Sequence, residues 1–183
     1  MRKFNAVLSM AALALFVFHA IAGSFQLFGA SEGGSAIMNA ATWTMLAAVI
    51  LHTVIGIKLT ADTLTAMKKS GGSNYFKENK LFWIRRISGF AVMLFIAAHV
   101  AIFMGHNGSD GYRLNLFDVP QLILSVLMVL SVLLHVSVNI RPLMLAIGAK
   151  SGRTLIGDIA LILSVIMVVA AAAFIVYYAR WSL

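Results

Sequence analysis

The sequence predicts an all-α membrane protein with five transmembrane helices, and three observations carry that prediction. Of 183 residues, 61% are hydrophobic and only 11% are charged, with a mean hydropathy of +0.95. Soluble domains carry about a quarter charged residues, so this chain cannot cover a water-facing surface. Second, five stretches between consecutive charged residues are each long enough to span a bilayer, which takes about 20 apolar helical residues. Third, Lys and Arg fall almost entirely on one side of those stretches.

The uncharged stretches are 28 residues between Lys3 and Glu32, 25 between Glu32 and Lys58, 23 between Arg86 and Asp110, 22 between Asp118 and Arg141, and 21 between Asp158 and Arg180. They place the helices over about 4–28, 36–60, 85–106, 119–141 and 156–179, in a single domain covering residues 1–183. The start, Met1-Arg2-Lys3 followed by apolar residues, has the outline of a signal peptide. Its apolar run is about twice the usual length, so it reads as a retained first helix. Pro120 stands in the first turn of the fourth helix, where a missing N–H costs little, and Pro142 is expected just after that helix. The segment 59–86 is the only long polar stretch, with 71–73 (Gly-Gly-Ser) as its flexible point.

Charge sets orientation. With the amino terminus cytoplasmic, the inner side holds twelve cations, from Arg2 and Lys3 through Lys58, Arg85, Arg86 and Arg141 to Arg153. The outer side holds only Arg113 and Arg180. This asymmetry predicts a multi-pass protein of the cell inner (cytoplasmic) membrane, with its carboxyl terminus outside. It also accounts for the net charge of +8 by topology, which removes nucleic acid as a partner and leaves membrane lipid. The absence of cysteine excludes disulfides, thiolate zinc sites, covalently attached haem and iron–sulfur clusters held by this chain.

Four of five histidines lie within spans, one on each of the first four helices: His19, His52, His99 and His135. Ionisable groups at membrane depth are costly and mark function. At 1.5 Å per residue, His19 and His99 fall in the outer half, while His52 and His135, each six residues before a cation, fall in the inner half. Two histidines at one depth across a bundle match bis-imidazole ligation of haem b. Zinc would need three or four ligands at one level, and a proton relay would need carboxylates at depth, whereas all six acids sit at span ends or in loops. The first four helices thus read as a haem-binding bundle. Gly23 and Gly56 lie one turn beyond His19 and His52 on the same face, where a flat macrocycle can approach the backbone. Ala47, Ala48, Ala97 and Ala98 neighbour ligand positions. Lys58, Arg86 and Arg141 close ligand-bearing helices and are candidates for pairing with haem propionates. Arg86 is the best placed, with Ser88 and Gly89 following it. His106 reads as a loop histidine near the outer boundary.

Five spans with histidines on the first four resemble the two-haem cytochrome b anchor of the succinate:quinone oxidoreductase family, the succinate dehydrogenases and quinol:fumarate reductases. Arg85-Arg86-Ile87-Ser88-Gly89 resembles that family's R-x-[ST]-G helix start. His135-Val136-Ser137-Val138-Asn139-Ile140-Arg141-Pro142-Leu143 resembles its H-x-x-x-G-I-R-x-L stretch, with Asn139 in place of glycine. The resemblance implies an inner haem b on His52 and His135, an outer haem b on His19 and His99, and cofactor contacts from Arg86 and Ser88. It also implies a flavoprotein subunit and an iron–sulfur subunit docked on the cytoplasmic side, and leaves room for a higher oligomer of the complex. Electrons would pass between those partners and a membrane quinone, menaquinone or ubiquinone. Glu32 is the candidate for proton exchange at an outer quinone site, with Asp110 and Asp118 behind it. The family's buried glutamate near the fourth ligand has no counterpart, since Leu133 and Leu134 precede His135. The chain would be the non-flavin membrane subunit of an enzyme complex and carries no nucleotide loop or nucleophile–base pair of its own. Two alternatives stand beside this reading: a di-haem anchor of a hydrogenase or formate dehydrogenase, and a haem-free membrane scaffold or small transporter.

Overall fold

A computed structural model describes residues 1–32, 35–69, 79–103, 107–108, 111–112, 118–148 and 153–181. Its helices are α1 (Arg2–Leu27), α2 (Ala36–Lys69), α3 (Lys80–Phe103), α4 (Val119–Ala146) and α5 (Arg153–Trp181). A minimal antiparallel pair, β1 (Asn107–Gly108) with β2 (Gly111–Tyr112), lies between α3 and α4, with Asn107 opposite Tyr112. All five helices are long and apolar enough to cross a bilayer, and the chain is a helical membrane protein.

Several ends differ from the sequence expectation. Lys58 does not end α2, which runs on to Lys69, and α3 begins at Lys80 rather than near 85. A charged residue marks where a helix leaves the hydrocarbon, not where its backbone hydrogen bonds stop. No proline or glycine interrupts 57–69. The point at 71–73 and His106 and Asp110 lie outside the described residues. Pro142 lies inside α4 instead of after it. Its missing N–H orphans the carbonyl of Val138, four residues back, and Arg85 Nε donates to that oxygen at 3.0 Å. The proline is tolerated because a neighbouring helix supplies the lost donor.

Other ends follow local chemistry. Asp118 caps α4, its carboxylate accepting from Gln121 N at 2.7 Å while the Gln121 side chain accepts from Asp118 N. Asp118 is thus the N-cap of α4. Gly29, at φ +75°, closes α1 in the left-handed conformation, with Ala30 N donating to Phe25 O and Gly29 N to Gln26 O. Arg180 at the end of α5 donates to Phe28 O at 2.8 Å, which satisfies another terminal carbonyl.

The helices run up and down. α1 packs on α2 and on α5, α3 packs on α4, and α4 packs on α5. The core lies where α1, α4 and α5 meet, around Leu27, Val129, Val132, Met167, Ala170, Ala173, Phe174 and Tyr177. Between lipid-solvated helices the drive to associate is close packing and interhelical hydrogen bonding rather than escape from water. Accordingly Ala6, Ala12, Ser24, Ser125, Ala170 and Ala173 are among the most buried residues, and hydroxyls such as Ser24, Ser125 and Ser164 donate to carbonyls one turn back. Large apolar side chains such as Leu161, Val168 and Ile37 stay exposed, as a lipid-facing surface requires. α2 and α3 are held together through side chains: Arg86 Nε to Thr60 Oγ1 at 3.1 Å and Thr53 Oγ1 to Met93 Sδ at 3.1 Å.

Candidate functional site

Lined by the first four helices, with Met167, Ala170 and Phe174 of α5 also contributing, is an open cavity of about 1740 Å³. That exceeds the ~300–1,000 Å³ of an ordinary ligand pocket. All four membrane-depth histidines line it. They meet in two pairs drawn from diagonally opposed helices. His19 of α1 and His99 of α3 have ring centroids 6.2 Å apart and planes at 87°; His52 of α2 and His135 of α4 are 6.5 Å apart at 72°.

The pairs lie at two depths, and three helices measure the interval independently. Ser9 touches His52, and ten residues on stands His19; Thr42 touches His19, and ten residues on stands His52; Gly89 underlies His135, and ten residues on stands His99. Ten helical residues rise about 15 Å. The pair nearer the amino-terminal end of the bundle, His52–His135, is hereafter the near pair, and His19–His99 the far pair.

Each pair has its own surroundings. His52 Nδ1 lies 3.0 Å from Ser9 Oγ and 3.1 Å from Asn5 Oδ1. His135 Nδ1 lies 3.1 Å from Ser88 Oγ, and Asn139 donates to the His135 carbonyl at 2.7 Å. The near pair is thus set in hydroxyls and amides. The far pair is set in aromatic rings: His99 stacks 4.5 Å from Phe103 and 6.3 Å from Phe174, and Thr42 Oγ1 reaches His19 Nδ1 at 3.2 Å. His99 Nδ1 is buried and has no hydrogen-bond partner among the described residues.

The donor set and the space fit a flat metal macrocycle. A metal ion bonded at about 2 Å to one nitrogen of each of two imidazoles sets their centroids roughly 6 Å apart, close to both observed separations. Among the described residues no group of three or more His, Cys, Asp or Glu gathers, so each pair would offer a metal two protein donors. Gly23 and Gly56 both line the cavity, and a Cβ added at either meets nothing within 4 Å. At Gly89 an added Cβ would come within 3.0 Å of His135 Cε1, so that glycine is what lets the ring lie against α3.

The remaining candidates divide. Arg86 lines the cavity, with its guanidinium 4.1 Å from the Phe82 ring centroid. Ser88 is buried and works through His135 rather than by lining the cavity. Glu32 is exposed and lies at the far mouth, beside Ser31. Lys58 and Arg141 are exposed and do not line the cavity, which corrects their candidacy as propionate partners. Each follows its histidine by six residues, a rotation of about 240° that turns it from the histidine's face. Arg2 and Arg85 line the cavity at the near end. Ala47, Ala48, Ala97 and Ala98 do not line the cavity either.

Reading along the chain does not single out Asn5, Ser9, Thr42 or Met93. The signal available was depth: each is a polar or sulfur-bearing residue at the level of a histidine on a neighbouring helix. No family model, no curated protein and no solved structure matches this chain.

Proposed function

We propose that the chain is the membrane anchor and electron-transfer subunit of a succinate:quinone oxidoreductase, a succinate dehydrogenase or fumarate reductase, holding two b haems. The observation that carries the reading is the pair of diagonal His–His contacts stacked at two depths in one cavity. His52 and His135 hold one haem and His19 and His99 the other. Haem bound at these pairs supplies one-electron transfer between the two sides of the membrane. The chain's own residues do the rest. Gly23 and Gly56 leave room for the macrocycles, and Ser88 orients His135. Arg2, Arg85 and Arg86 provide cationic charge at the near end for carboxylates of the bound group. Glu32 holds or releases a proton at the far mouth, where a quinone is reduced or oxidised.

In this reading the near end faces the cytoplasm of a cell whose inner membrane holds the protein, with the carboxyl terminus outside. The flavoprotein and iron–sulfur subunits dock on that near end. Affinity purification of the tagged chain from its native membrane tests the assignment. A flavoprotein and a cluster-bearing subunit that together reduce a quinone with succinate, or reduce fumarate with a quinol, are expected to come with it. Hydrogenase or formate dehydrogenase subunits in their place would move the same cytochrome to another complex.

A further inference from the structure

We infer that Asn5 and Ser9 are positioning residues that fix His52 in the tautomer protonated on Nδ1, so that Nε2 is ready as a ligand before any metal arrives. The hydrogen-bond directions carry this. Ser9 has one hydroxyl proton, and it is committed to the backbone carbonyl of Asn5, one turn back, at 2.7 Å. Toward His52 Nδ1, 3.0 Å away, Ser9 Oγ therefore acts as acceptor. The second neighbour of Nδ1, Asn5 Oδ1 at 3.1 Å, is a carbonyl oxygen and carries no proton. Two acceptors on one ring nitrogen require that nitrogen to be the donor, and neutral imidazole has only one N–H. Nε2 is left with its lone pair exposed.

Across the cavity His135 has a different set of neighbours. Ser88 Oγ lies 3.2 Å from the Arg85 carbonyl and 3.1 Å from His135 Nδ1, while Asn139 Nδ2, which can only donate, lies 3.5 Å from the same ring nitrogen. Of the near pair, His52 is the ring whose Nδ1 faces two acceptors and keeps its proton there. The far pair is held differently. Thr42 Oγ1 fits His19 as donor or acceptor, and His99 Nδ1 has no partner among the described residues. Groups that hold the second nitrogen of a ligating histidine set its tautomer and raise its basicity, and their loss typically weakens metal affinity about 10–100-fold. His52 is therefore the pre-arranged ligand, and its preference rests on α1 residues that act through the second nitrogen of its ring. The inference depends on the reading that His52 ligates a haem, and the experiment separates the two.

The full-length chain, labelled with 15N-histidine and reconstituted without haem in lipid nanodiscs, is expected to show His52 with a protonated Nδ1 and a bare Nε2, the signal being assigned by its loss in His52→Asn. In the double variant Ser9→Ala/Asn5→Leu the proton is expected to move to Nε2. Titration of that variant with haem b is expected to show one site weakened about 10–100-fold and the other unchanged. Ser9→Thr, which keeps the hydroxyl, is expected to retain both the tautomer and the affinity. A wild-type His52 protonated on Nε2, or a double variant with an unaltered nitrogen spectrum, would overturn the inference. A wild-type chain that shows the Nδ1 proton but takes up no haem would leave the inference standing and overturn the haem reading. Should the double variant not fold, the wild-type spectrum decides alone.

Discussion

Filling the cavity at one glycine separates the stability of the bundle from its capacity to hold a macrocycle. Gly56 lies on α2 one turn beyond His52, lines the cavity, and has open space where a Cβ would project. Gly56→Leu adds four carbons to that space without meeting a neighbour at its first atom. It also replaces the residue least suited to a helix interior after proline, a gain of about 0.5–1 kcal/mol. The haem-free variant is therefore expected to be at least as stable as wild type in thermal or SDS unfolding in nanodiscs. The same side chain stands where a macrocycle held by His52 and His135 would lie. Haem content is expected to fall from two to one per chain, with the residual spectrum that of the far pair. A Gly56→Leu chain that is stable and still carries two haems would refute the reasoning, because Gly56 would then not face the bound group.

Three further outcomes follow from the same geometry. Gly89→Ala is expected to displace the His135 ring, since the new Cβ would come within 3.0 Å of Cε1; weakened haem binding at one site, read by titration, with the other unaffected is the check. Arg85→Met is expected to destabilise the chain by about 1–2 kcal/mol, because the Val138 carbonyl orphaned by Pro142 loses its donor. That loss should largely vanish in a Pro142→Ala background, where the residue 142 N–H serves the same carbonyl, and strict additivity in the double-mutant cycle would contradict it. Arg180→Ala is expected to loosen the end of α1 through loss of the bond to Phe28 O, seen as faster amide exchange around residues 24–30 and a stability cost of about 0.5–1 kcal/mol.

Hydropathy made the five helices legible, because a bilayer demands long apolar segments whatever the packing. Counting from charged residues was enough to assign each histidine a depth, and the structure brings together the residues assigned equal depth, His19 with His99 and His52 with His135. Rotation about the helix axis was the information that counting discards. Lys58 and Arg141 were at a suitable depth but on the wrong face, six residues from their histidines. Helix ends were legible only where a local signal exists, as at Asp118 with Gln121 or at Gly29. The continuation of α4 through Pro142 depends on Arg85, more than fifty residues away in sequence, and nothing local announces it. The partners of the histidine rings were hidden for the same reason, since Asn5 and Ser9 acquire their role only when α1 lies beside α2.

The most direct test is a dithionite-reduced minus oxidised spectrum of the purified protein, with pyridine haemochrome quantification per chain, taken for wild type, His52→Ala and His19→Ala. Two b-type haems in the wild type and one in each variant is the predicted result. A wild-type chain purified with its partners that carries no haem, or variants that both retain two, would contradict the claim that these diagonal histidine pairs are the ligands.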